Sequence, residues 1–119
     1  MKDFKQLKVW QKSHQLALAL YQVTATFPRE ETYGLTAQIR RSASSIPSNL
    51  AEGCGRDGDA ELARFSVIAR GSASELEYHL LLARDLNLIP DQSHAKLTEQ
   101  VAEIKRMLTV FVQKLKAES

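Results

Sequence analysis

The sequence predicts an all-α protein, a single antiparallel up-and-down four-helix bundle over residues 1–119 with a proline-kinked second helix. Three observations predict it. Only 5 of 119 residues are Gly and 3 are Pro, while Ala, Leu, Gln, Glu, Lys and Arg dominate, a composition that favours helix over strand. Apolar residues recur at steps of three and four in four successive segments. The interruptions between those segments are short, which makes consecutive helices antiparallel neighbours.

The first helix is expected from Leu7 to Phe27, stopped by Pro28. Trp10, His14, Ala17 and Tyr21 form one stripe, and Val9, Leu16, Leu20, Val23 and Phe27 another. Pro28 to Gly34 reads as a connector. Leu35, Ile39, Ala43, Ile46 and Leu50 then mark a second helix ending at Gly53. Pro47 lies inside it, where it removes a backbone donor and crowds the preceding turn, so a kink is expected near Ser44 to Ile46. Asp59 is the expected N-cap of the third helix, which carries Leu62, Phe65, Ala69, Ser72, Leu76, Leu80 and Ala83 and ends at Leu86 or Asn87. Asn87 suits a left-handed terminal position, and Pro90 with Asp91 suits the first turn of a fourth helix. There Leu97, Val101, Ile104, Leu108, Phe111 and Leu115 alternate steps of four and three, the spacing of a bundle seam.

Composition also excludes function classes. The 16 Lys and Arg against 14 Asp and Glu leave a net charge of +2, too mild to announce nucleic-acid binding by itself. A lone cysteine allows no internal disulfide or Cys-rich metal site, and suits a reducing compartment. The longest apolar run, Leu16 to Tyr21, is far short of a bilayer span, so the chain reads as soluble, untargeted and without a membrane partner.

No catalytic constellation emerges. Gly53-Cys54-Gly55-Arg56-Asp57-Gly58 spells the dinucleotide fingerprint, but that motif works at a strand-to-helix turn, and here a helix precedes it. Cys54 at a helix C-terminus meets the wrong end of the dipole for a thiolate. His14, His79 and His94 have no ligand spacing, so no metal and no cofactor is expected. Ser42, Ser44, Ser45 and Ser48 lack a nucleophile elbow. The chain is therefore read as no enzyme, with no small-molecule substrate evident.

Assembly is the stronger signal. Leu16, Leu18, Leu20 and Tyr21 on the first helix, and Leu81 and Leu82 on the third, belong to segments apolar for a full turn, more than a small bundle hides. They are candidates for an interface between copies. Ala69, Gly71, Ser72, Ala73 and Ser74 would let another helix approach closely, and Arg70, Glu77 and Arg84 recur every seven residues as a charge seam. Arg40, Arg41, Asn49, Glu52, Glu75 and Glu77 are candidates for a structural polar network, with an arginine of the second helix paired to an acid.

The run Tyr33 to Ala43, continuing Ser45-Ile46-Pro47-Ser48-Asn49-Leu50-Ala51-Glu52-Gly53, resembles the signature of bacterial four-helix bundle proteins first met as reading frames in intervening sequences of 23S ribosomal RNA genes. Phe4, Leu7, Val9-Trp10 and Ala17 agree with it, as does Gly71-Ser72-Ala73-Ser74-Glu75-Leu76-Glu77. The resemblance implies a cytoplasmic homopentamer with no known catalytic activity. Relatives include the accessory variability protein of diversity-generating retroelements, a basic pentamer that binds nucleic acid and a reverse transcriptase. By that likeness, and because no acid stands between Phe4 and Arg29, Lys5, Lys8, Lys12, Arg40, Arg41, Arg56 and Arg64 are candidate contacts to RNA or DNA. This chain departs from many relatives in Cys54 and in the acidic Asp57-Gly58-Asp59-Ala60-Glu61, which repels phosphate.

Overall fold

The computed structural model describes residues 2–118. Four helices follow one another: α1 (Lys8–Thr24), α2 (Leu35–Cys54), α3 (Asp59–Asp85) and α4 (Asp91–Glu118). Short 3₁₀ turns at Phe4–Gln6 and Arg29–Glu31 precede α1 and α2. Each helix packs on the next in sequence, and α1 closes thinly on α4, leaving α1 and α3 at opposite corners. The molecule is 45 × 23 × 19 Å, a length that the 28 residues of α4 nearly span at about 1.5 Å per residue.

The ends of α1 differ from expectation. The N-terminal residues form a 3₁₀ turn because the Asp3 carboxylate accepts from the Lys5 N–H at 3.0 Å, and the chain is extended at Leu7 before the helix begins. At the other end α1 stops at Thr24, three residues before Phe27. Proline at 28 disfavours helical geometry at Phe27, and Thr26 and Phe27 instead donate to the carbonyls of Val23 and Thr24 in tight three-residue turns.

Entry to α2 is fixed by Glu31, whose side chain accepts from the Leu35 N–H at 3.1 Å. The helix runs unbroken through the buried Pro47 and ends at Cys54. Gly53 does not terminate it in a left-handed turn. It lies inside the helix, where a Cβ would meet the Phe65 Cβ at 2.9 Å, so glycine is what allows α2 and α3 to approach. The left-handed residue is Gly58, at φ +87°, and Gly58 takes the cap position expected of Asp59. Asp59 and Glu61 fall in the first turn of α3, where the helix dipole favours acids.

Asn87 takes the left-handed position expected of it, with φ 61°. Leu88 donates to Ala83 and Asn87 to Arg84, the paired bonds of a Schellman motif. Along α4 the buried residues are Leu97, Val101, Ile104, Leu108, Val112 and Leu115. Val112 takes the place expected of Phe111; at about 100° per residue the two fall on either side of the buried stripe, and Val112 is the more buried. Phe111 is half-buried and joins the main core to a small second cluster of Cys54, Leu62, Ala63 and Leu115, capped by Phe4 and Leu7.

Candidate functional site

The seven basic residues read from the sequence do not form one patch, although Arg56 and Arg64 meet at Phe65. Lys5 lies in the 3₁₀ turn and Lys8 opens α1, both exposed. Lys12 binds Glu103 of α4 at 3.2 Å. Arg41 binds Glu75 at 2.6 Å, Arg56 binds Glu52 at 2.8 Å, and Arg64 binds Glu61 at 2.9 Å. Arg40 serves the end of α1. Its guanidinium lies 4.6 Å from the Tyr21 ring centroid and donates to the Thr24 hydroxyl at 2.8 Å and the Tyr21 carbonyl at 3.1 Å. Arg56 and Arg64 bracket the Phe65 ring at 5.2 and 4.5 Å. About 20 Å of helix separates Arg41 from the end of α2, beyond which Arg56 lies. Four of the seven are thus paired with acids and a fifth caps a helix.

The polar network is likewise several separate contacts. Of the acids expected to pair with an arginine of the second helix, Glu75 takes Arg41, but Arg40 turns to α1, and Glu77 joins Lys105 of α4 at 3.0 Å. Glu52 pairs with Arg56 just beyond the end of its own helix, and Asn49 donates to the Ser45 carbonyl and hydroxyl. Ser45 in turn meets Ser72 at 2.9 Å, tying α2 to α3.

Chemistry is poorly served by these groups. Burial pushes the Cys54 thiol above its ordinary range, outweighing the nearby Lys2. The Ser42 hydroxyl is buried and donates to the Gln38 carbonyl, with the His79 Nδ1 at 3.4 Å. Burial also lowers the His79 pKa; Glu75 opposes that shift and Arg41 adds to it. Among the described residues no group of His, Cys, Asp and Glu could hold a metal ion. A groove of about 350 Å³ between the start of α1 and the end of α4 is lined by Leu7, Lys8, Val9, Met107, Val110, Phe111 and Lys114, without a carboxylate, imidazole or hydroxyl.

The apolar residues sort differently from expectation. Leu16 and Leu20 are core, Leu20 wholly buried, so neither is available to a second copy; six consecutive apolar residues still divide between faces at 100° each. Leu82 packs partly on the core. Leu18, Tyr21 and Leu81 remain exposed. Among the small residues of α3, Ala69 and Ala73 are buried while Gly71 and Ser74 face outward. With Val67, Tyr78 and Leu81 they form an outward stripe stepping by four, three, four and three, with no charged member. Sequence reasoning found its flank, Arg70, Glu77 and Arg84, and three of its members, Gly71, Ser74 and Leu81, but did not join them with Val67 and Tyr78 into one stripe. The available signal was that α3 is the least amphipathic of the four helices, being apolar on two sides.

Comparison with known proteins places this bundle. The family model described as 23S rRNA-intervening sequence protein matches residues 5–110. The chain belongs to that family. The 23S rRNA-intervening sequence match covers the first three helices and most of α4, and includes Pro47. A 1.70 Å crystal structure of a protein of unknown function from the S23 ribosomal protein family, from Bacteroides thetaiotaomicron VPI-5482, is similar in fold. Its TM-score is 0.78 at 24% identity, over 87% of this chain and 97% of that one. No curated protein matches. Among the described residues no helix is long and apolar enough to cross a membrane.

Proposed function

We propose that this member of the 23S rRNA-intervening sequence family is a non-enzymatic, cytoplasmic, self-assembling scaffold, built as the ring of five copies that its sequence resemblance implies. The observation that carries the reading is the outward stripe of α3. Val67, Gly71, Ser74, Tyr78 and Leu81 run uncharged for about 21 Å along a helix whose other side already fills the core. Interface cores are depleted in charge in the same way. The scattered, paired state of the basic residues fits a role in folding, and the buried Cys54 and Ser42 fit the absence of catalysis.

A second reading, a nucleic-acid-binding accessory protein, has one observation in its favour. Lys5 and Lys8 have no acid within ion-pair distance among the described residues, and Lys8 shares a groove with Lys114. Repeated around a ring, such a weak patch becomes multivalent.

Light scattering coupled to size-exclusion chromatography, on protein never treated with nuclease, tests both. A mass of five chains with a protein-like 260 to 280 nm absorbance ratio is expected. Co-purifying nucleic acid, with affinity that falls steeply between about 50 and 200 mM salt, would favour the accessory role. A mass of one chain would sink the scaffold.

A further inference from the structure

We infer that two different faces of the chain meet in the assembly: the outward stripe of α3 receives Leu18 and Tyr21 from α1 of the neighbouring copy. The inference rests on the self-assembly reading and specifies its contact.

Two apolar faces stay exposed, the one on α1 with Arg40 lying against part of the Tyr21 ring. Leu18 is 53% exposed and Tyr21 44% on α1; Tyr78 is 57% exposed on α3. These faces lie on helices at opposite corners, so one contact between copies covers both patches. A contact of unlike faces is heterologous, and such contacts close into rings when the rotation allows.

Height along the bundle then decides which residues meet. Arg40 of α2 reaches Tyr21 and Thr24 of α1, while its neighbour Arg41 reaches Glu75 of α3. One turn away, Ser45 meets Ser72. Tyr21 therefore stands level with Glu75 to Tyr78, and Leu18 level with Gly71 to Ser74. A rotation that closes a ring has no rise along its axis, so with that axis along the helices each residue meets the neighbour at its own height. Since α1 and α3 run in the same direction in an up-down-up-down bundle, they pack parallel across the contact.

The shapes at that height agree. A Cβ built on Gly71 would meet nothing within 4 Å, which leaves a depression in the ridge of α3 between Val67 and Ser74. Leu18 fits there as a knob, and Tyr21 falls beside Tyr78, an aromatic pair. Charges do not oppose the contact. The α1 face of Gln11, His14, Leu18, Tyr21 and Ala25 has no lysine, arginine or acid of its own, with only the Arg40 guanidinium of α2 lying on the Tyr21 ring, and the five stripe residues of α3 carry no charge to repel it.

Cysteine cross-linking tests the pairing. The double variant Leu18→Cys/Ser74→Cys, its two single variants and the wild type are oxidised and run on denaturing gels, with circular dichroism to check helix content. Only the double variant is expected to give a ladder of covalent multimers. A covalent dimer from Ser74→Cys alone would put two α3 faces together and overturn the pairing. So would an uncrosslinked double variant whose scattering mass equals that of the wild-type assembly. In both cases self-assembly itself survives, whereas a wild-type mass of one chain overturns both readings. As an independent arm, Gly71→Trp fills the depression without entering the chain's own core. It is expected to reduce the scattering mass at unchanged helix content, and an unchanged mass would refute the contact.

Discussion

Arg40 and Arg41 are adjacent, alike and both polar-bonded, yet they belong to different physical regimes. The Arg40 guanidinium satisfies a terminal carbonyl of α1 and the hydroxyl of Thr24, itself buried, while lying on the Tyr21 ring. Arg41 makes an ion pair whose side chains are 56% and 40% exposed, where solvent screens most of the attraction. Arg40→Ala is therefore expected to cost about 1.5–3 kcal/mol, the range for hydrogen bonds from a charged donor, and Arg41→Ala about 1 kcal/mol or less. Urea unfolding of the two variants checks the order, and a larger loss at Arg41 would contradict it. A pH dependence follows from His79. Its folded-state pKa lies below the unfolded value of about 6.5, chiefly through burial, so the unfolded chain takes up a proton first as pH falls. The stability gained by keeping His79 neutral is complete above about pH 6.5 and is lost as pH falls through the folded value. Melting temperature should fall from pH 7.5 to pH 5.5 in the wild type and change less in His79→Gln; equal slopes would remove His79 as the cause.

Helix ends show most clearly what a sequence carries. Asn87 has the short polar side chain that tolerates the left-handed region, and its two bonded neighbours at the end of α3 follow from local chemistry alone. Replacing it by Val, which cannot adopt φ 61° without strain, should cost about 1–2 kcal/mol, while Asn87→Gly should cost nothing; thermal melts of both variants decide. Thr24 was not legible in the same way. Its hydroxyl bonds the Leu20 carbonyl and accepts from Arg40, sixteen residues on, so the end of α1 depends partly on α2. Gly53 illustrates the same limit. Spacing marks it as a terminator, whereas its real partners are Phe65 and Leu62 across the bundle. Periodicity located the four helices because each buries one stripe, and it placed Phe111 against the core but missed Val112, which flanks the same stripe on the other side.

At the scale of the whole molecule, periodicity says which residues share a stripe but not which stripe faces inward, and this is why Leu16 and Leu20 read as interface candidates and why Gly71 and Ser74 were grouped with the buried Ala69 and Ala73. The same architecture makes α1 the least secured helix. It has 17 residues against 27 in α3 and 28 in α4, packs broadly only on α2, and meets α4 thinly, with Lys12 and Glu103 bridging that seam. A helix with one broad neighbour opens at lower free energy than one packed on both sides. In the dissociated chain, backbone amides of α1 should exchange with deuterium well before those in the middle of α3. Assembly changes this ordering if Leu18 and Tyr21 dock on a neighbour, because a partner that binds only the closed helix stabilises it by mass action. Protection of residues 16–23 should then rise with protein concentration in step with the scattering mass, and more than protection of α4. Hydrogen exchange across a dilution series reads both quantities on one sample. If mass changes over the series while α1 protection stays constant, α1 is not part of the contact.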